Sequence, residues 1–148
     1  MKKVLSGFII LFLIVGLAYA QARGNSAEAK ALLDKAVVFY KANGPEKAIA
    51  AFNVPRGQFV NKDLFIFAMD MNGKILAHAD FHWLGKNMMS MKDPDGKAFM
   101  KEMIDTAKTK GKGSVDYKWA NPRTISPEKK SSYFEKVDGV ILGCAYYK

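Results

Sequence analysis

The chain has 148 residues, 49% hydrophobic and 25% charged, a balance that fits a folded globular domain and excludes disordered and collagen-like classes. A domain of this length buries roughly two thirds of its unfolded surface and requires no staple. Its single cysteine, Cys144, excludes intramolecular disulfides, CxxC redox pairs, CxxCH haem attachment and cysteine-based zinc sites, while a formal charge of +9 favours anionic partners without choosing among them.

Lys2 and Lys3 precede an apolar run from Val4 to Leu17, and the run ends in Ala18-Tyr19-Ala20 before Gln21. A basic start, an apolar centre and a small-x-small site predict a secretory signal peptide over residues 1–20, cleaved after Ala20. The run is short for a transmembrane helix, which needs about 20 apolar residues, although an uncleaved anchor is the competing reading. Cleavage removes Lys2 and Lys3 and no acid, lowering the formal charge from +9 to +7. A periplasmic domain over residues 21–148, with no membrane insertion after cleavage, is the expectation. Its lysines are scattered among acids, without the basic block or arginine stripe of a nucleic-acid surface.

From Ala27 to Asn43, Leu32, Leu33, Ala36, Val37 and Tyr40 recur at helical spacing, with Asn25 or Ser26 as N-cap and Asn43-Gly44 as stop. Pro45 suits the first turn of a second, shorter helix through Phe52. After the break at Pro55-Arg56-Gly57, the nearly all-apolar Leu64 to Met69 predicts a strand covered on both faces. Asn72-Gly73 then signals a hairpin into a strand from Lys74 to His78. A loop from Ala79 to Asp93 leads to a helix opened near Pro94, with Asp93 as its cap and Phe99, Met100, Met103, Ile104 and Ala107 as its apolar stripe. Lys108, Lys110 and Gly111 close it. Three strands follow, Ser114–Trp119, Ser131–Val137 and Val140–Tyr146, joined by a loop from Ala120 to Lys130 and a tight turn at Asp138-Gly139. Short turns force antiparallel neighbours, so the expected fold is α+β and PAS-like: a five-stranded antiparallel sheet with a long N-terminal helix and further helices packed on it.

Strand alternation puts Val115, Tyr117 and Trp119 on one face. With Ser131 and Tyr133 on the next strand, the hairpin brings aromatic residues and a lysine together near its loop end. Aromatic walls exclude water, a phenol or indole donor orients a ligand, and a lysine supplies the charge that a desolvated carboxylate requires. The same residue types also serve as ordinary core and cross-strand pairs.

Asp70-Met71-Asn72-Gly73-Lys74-Ile75-Leu76-Ala77-His78, Leu84-Gly85-Lys86-Asn87, Asp93-Pro94-Asp95-Gly96-Lys97, Gly113-Ser114-Val115-Asp116-Tyr117-Lys118-Trp119, Lys130-Ser131-Ser132-Tyr133 and Leu142-Gly143-Cys144-Ala145-Tyr146 resemble, in order, the successive blocks of single Cache domains. The resemblance runs from about Phe59 to Tyr146. It implies an extracytoplasmic, non-catalytic sensor module, similar to the standalone exported form, without a cofactor and with a pocket for a short organic acid such as acetate, propionate, pyruvate or lactate. Carried onto the matching blocks, the implied pocket residues are Tyr117, Trp119, Lys130 and Tyr133, with His78 a weaker candidate. The implied partners are the acid itself and a membrane receptor, sensor kinase or transporter. The loop carrying His82, Trp83, Met88, Met89 and Met91, and Cys144 in place of the usual small residue, depart from the common pattern.

Two other readings compete. His78 and His82, with Asp80 between them, suggest a metal, but two histidines and one acid leave the ligand set short, and a methionine-rich lid over a pocket or core is the ordinary use of Met88, Met89 and Met91. A Cache fold without a small ligand, docking onto a membrane receptor or kinase, is the other. No Gly-x-Ser-x-Gly, phosphate-binding glycine loop or paired-acid signature points to an enzyme.

Overall fold

The computed structural model describes residues 22–148; the predicted signal peptide and its cleavage site lie outside the described residues. Helix α1 (Ser26–Asn43) starts with a capping box, in which the Asn25 side chain accepts from the Glu28 amide and the Glu28 carboxylate accepts from the Asn25 amide, both at 3.0 Å. Gly44, at φ +79°, turns the chain into α2 (Pro45–Phe52), whose first residue is the proline. Two short strands, β1 (Val60–Asn61) and β3 (Ile75–Ala77), pair with one edge of β2 (Leu64–Asp70). A 3-10 turn (Phe81–Trp83) and a long loop lead to α3 (Phe99–Lys110), which Gly111 ends in the left-handed conformation. The chain closes with β4 (Lys112–Asn121), β5 (Ser126–Val137) and β6 (Val140–Tyr147), and every pairing is antiparallel, in the order β1/β3, β2, β6, β5, β4.

Because β2 and β6 are central, both of their faces are covered, which is why Leu64 to Met69 reads as a continuous apolar run. On one face Leu64, Ile66, Ala68, Leu142 and Cys144 pack under α1 and α2 against Leu32, Leu33, Ala36, Val37, Ala48 and Phe52. On the other, Phe67, Met69, Val115, Phe134 and Ile141 meet Phe99, Met100, Met103, Ile104 and Ala107 of α3. Fully burying each such large side chain stabilises the fold by about 1.5–3 kcal/mol, so the two half-cores on a shared sheet act as one cooperative unit.

The expected PAS-like α+β architecture holds, and four details differ. A sixth, two-residue strand, β1, joins the sheet edge. The strand after Asn72-Gly73 is trimmed to Ile75–Ala77. The loop expected over Ala120 to Lys130 is mostly ladder, since pairing continues to Asn121↔Ser126 and leaves a four-residue turn. Finally, α3 begins at Phe99, and Asp93 is not its cap. The Asp93 carboxylate accepts from the amides of Asp95, Lys97 and Lys118, closing its own turn and pinning it to the free edge of β4. An aspartate with three amide donors in reach forms the turn in preference to starting a helix.

Candidate ligand-binding site

Residues directly opposite each other in an antiparallel ladder share a face, so the register builds the site in rows. One row is Tyr117–Lys130–Tyr147 across β4, β5 and β6; the next is Val115–Ser132–Ala145; the next is Gly113–Phe134–Gly143, with Phe67 of β2 beyond. The outer and inner rows carry large side chains. The middle row carries small ones at Ser132 and Ala145, which leaves space above the sheet. Gly143 lets the Phe67 ring lie across the strand, since a Cβ there would sit 2.1 Å from the ring.

The space is a cavity of about 40 Å³, roofed by Phe99 and Met100 of α3, Met88 of the long loop and Ile75 of β3, with His78 and Trp119 at its side. It adjoins an outer chamber of about 390 Å³ that includes Asp63, Asp80, Trp83, Asn121 and Tyr147; Phe65, His78, Trp119 and Lys130 line both spaces. Aromatic packing holds the walls. Tyr117 stacks on Phe99 at 4.2 Å between ring centres and Trp119 lies 5.7 Å from Trp83.

Lys130 stands at the junction, 9% exposed. Its Nζ lies 4.4 Å from the Tyr147 ring centre and 5.9 Å from that of Phe65, and among the described residues it makes no hydrogen bond or ion pair. Burial pulls the ammonium down to about 8, opposed by the charge of Asp63, whose carboxylate accepts from the Gly24 amide. Burial likewise pulls the His78 imidazole down to about 4, so the ring is neutral at physiological pH. Its Nδ1 lies between the amide and carbonyl of Asp80, at 3.0 and 3.1 Å. With the amide donating to Nδ1, the neutral ring carries its proton on Nε2 and presents a donor. Burial holds the Tyr117 phenol well above its ordinary value, and its hydroxyl is 2.9 Å from Ser132 Oγ. The site therefore offers one buried cation and neutral donors in an aromatic box. Such an arrangement is chemically suited to a small anion.

Of the five residues singled out in the sequence, the structure brings together Tyr117, Trp119, Lys130 and His78. Tyr133 is not brought to them. Three positions from Lys130 on the same strand, it faces the opposite side of the sheet, where its hydroxyl is 2.7 Å from Ser26 Oγ and its ring stacks on Tyr146. Tyr147, Ser132 and Ala145 complete the rows unannounced, although alternation along the last two strands carried the signal; Phe99 and Met88 reach the cavity by tertiary packing alone. Met88 is buried there, as a methionine over a pocket would be. The two histidines flank Trp83, and His82 Nε2 lies 2.6 Å from Lys86 Nζ. Among the described residues no group of three or more His, Cys, Asp or Glu side chains is placed to hold a metal. None of their helices is long and apolar enough to cross a membrane.

A family model described as Cache domain matches residues 15–145. The methyl-accepting chemotaxis protein McpP of Pseudomonas putida is 30% identical over 100 residues, covering 66% of this chain and 18% of McpP. The sensor histidine kinase MctS of Rhizobium johnstonii is 35% identical over 78 residues, covering 52% of this chain and 17% of the kinase. The chain thus spans less than a fifth of the length of either relative. Among solved structures, a methyl-accepting chemotaxis protein from Vibrio parahaemolyticus superposes with a TM-score of 0.66 at 23% identity, covering 82% of this chain and 86% of that one. A Cache chemosensory domain solved for its recognition of carboxylic acids superposes with a TM-score of 0.62 at 26% identity, covering 80% and 84%.

Proposed function

The chain belongs to the Cache domain family, a family of extracytoplasmic sensor modules, and on that premise we propose that it binds a short organic acid such as acetate, propionate, pyruvate or lactate in the periplasm after loss of residues 1–20. The observation that carries the reading is Lys130, a buried ammonium that makes no ion pair among the described residues, beside a cavity. A buried charge without a partner is costly, and a ligand carboxylate would supply the partner. In this mechanism Lys130 pairs with the carboxylate, His78 and Tyr117 orient it by hydrogen bonds, and Trp119 packs on the carbon chain. The site is a binding site and performs no catalysis. Bound ligand would be read by a membrane receptor, sensor kinase or transporter. A likeness to a carboxylic-acid-recognising Cache domain supports the ligand class.

The test is a thermal-shift titration of the purified protein with C2 to C4 acids. An acid at 100 times its Kd adds about 2.7 kcal/mol, several degrees in Tm for a domain of this size. Lys130→Ala should cost about 2–5 kcal/mol of binding, as truncating one partner of a buried charge pair does. Absence of a shift with any acid, or an equal shift in Lys130→Ala, would sink the reading.

A further inference from the structure

Of the three groups proposed to meet the carboxylate, Lys130 and His78 line both the cavity and the outer chamber, and Tyr117 stands beside them, opposite Lys130 in the ladder. The far end of the cavity is walled by Phe67, Ile75, Met88 and Met100, which offer no strong hydrogen-bonding group. A carboxylate held at the junction therefore points its carbon chain inward. The floor under that chain is the middle row. Ser132 is fully buried and its Oγ is engaged by the Tyr117 hydroxyl, so the exposed part of the floor is the methyl of Ala145, 8% exposed. One row deeper, the Phe67 ring lies over Gly143 so closely that a single added carbon would overlap it, and the space ends.

Resting on the carboxylate reading above, we propose that Ala145 is the specificity-determining residue of the site, gauging the chain length of an unbranched acid and setting the limit at two or three carbons. The size agrees in direction, since a cavity of about 40 Å³ leaves little room for a longer chain. A fourth carbon has to displace Phe67 or Met88 from packed positions. Larger side chains at position 145 shorten the space; the position lies one row from Lys130, whose neighbours across the ladder are Tyr117 and Tyr147.

Calorimetric titration of the whole protein with acetate, propionate, butyrate and valerate, in wild type, Ala145→Gly and Ala145→Val, tests this. In wild type, butyrate should bind at least about 10-fold more weakly than propionate, the lower bound for one unaccommodated methylene. Ala145→Val should weaken propionate by about 10-fold or more and acetate by less than about threefold, while Ala145→Gly should bring butyrate closer to propionate. The glycine variant keeps the test in place should the valine variant fold poorly, which a melting curve will reveal. Equal affinity of wild type for all four acids, or parallel changes at every length in the variants, would overturn the proposal. If no acid binds wild type, the carboxylate reading fails and the gauge with it; if acids bind and are lost in Lys130→Ala but ignore position 145, only the gauge fails.

Discussion

The ammonium of Lys130 lies 4.4 Å from the ring centre of Tyr147, its partner across the β5–β6 ladder, and faces that ring. A cation over one aromatic face recovers about 0.5–2 kcal/mol, less than the several kcal/mol needed to take an ammonium out of water. The residue is thus held against the preference of the fold.

Lys130→Met should therefore raise the stability of the ligand-free protein. The penalty implied by a fall from 10.5 to about 8 is on the order of 3 kcal/mol, an upper bound because the cavity admits water. Between pH 8 and 10.5 the unfolded chain keeps the proton that the folded chain has released, so wild-type stability gains from this group as pH rises. Denaturant melts across that window should show the gain in wild type and its absence in the methionine variant. A methionine variant that is less stable than wild type at pH 7 contradicts the account.

Carboxylate affinity should fall as pH rises above about 8, where the free protein loses the Lys130 charge, approaching tenfold per pH unit at the limit. The neutral His78, already deprotonated well below pH 7, contributes no such step near neutrality. Titrations at pH 6, 7, 8 and 9 check this, and a flat profile would remove Lys130 from the binding equilibrium.

Tyr117 and Tyr133 separate the two faces of the sheet. Tyr133→Phe should cost about 1 kcal/mol of stability through the lost contact with Ser26 and leave acid affinity within about twofold. Tyr117→Phe frees the buried Ser132 hydroxyl at the cavity floor and should weaken binding by about fivefold or more. Equal effects of the two on affinity would be inconsistent with the register described.

Asp93→Asn should lower Tm at neutral pH, because Asp93 anchors its turn to the edge of β4. The Lys118 amide, followed by those of Lys97 and Asp95, holds the carboxyl below its ordinary value. A lowered carboxylate value gives stability that is complete above about pH 4 and lost as pH falls through the folded value. The gap between variant and wild type should accordingly close in acid, and a gap independent of pH would assign the loss to shape and not to charge.

What the sequence by itself determined lies within a few residues of each signal. The N-cap at Asn25, one of the two candidates, Pro45 opening α2, Gly111 closing α3 and the turn at Asp138-Gly139 are local backbone chemistry, and they stand where the pattern put them. The placing of Lys130 opposite Tyr117, with Trp119 on the same face of β4, was also within reach, because a hairpin fixes its own neighbours. The tertiary structure decided the rest. Alternation along β5 already sets Lys130 and Tyr133 on opposite faces, but only the register with β6 and the position of α3 show which face holds the cavity. Asp93 illustrates the same limit, since its third donor, the Lys118 amide, comes from a strand 25 residues away. The cavity belongs to no residue alone. It exists because small Ser132 and Ala145 fall in one row, between rows of aromatic side chains and under a roof from α3 and the methionine loop, and contacts between segments distant in the chain bring those layers together.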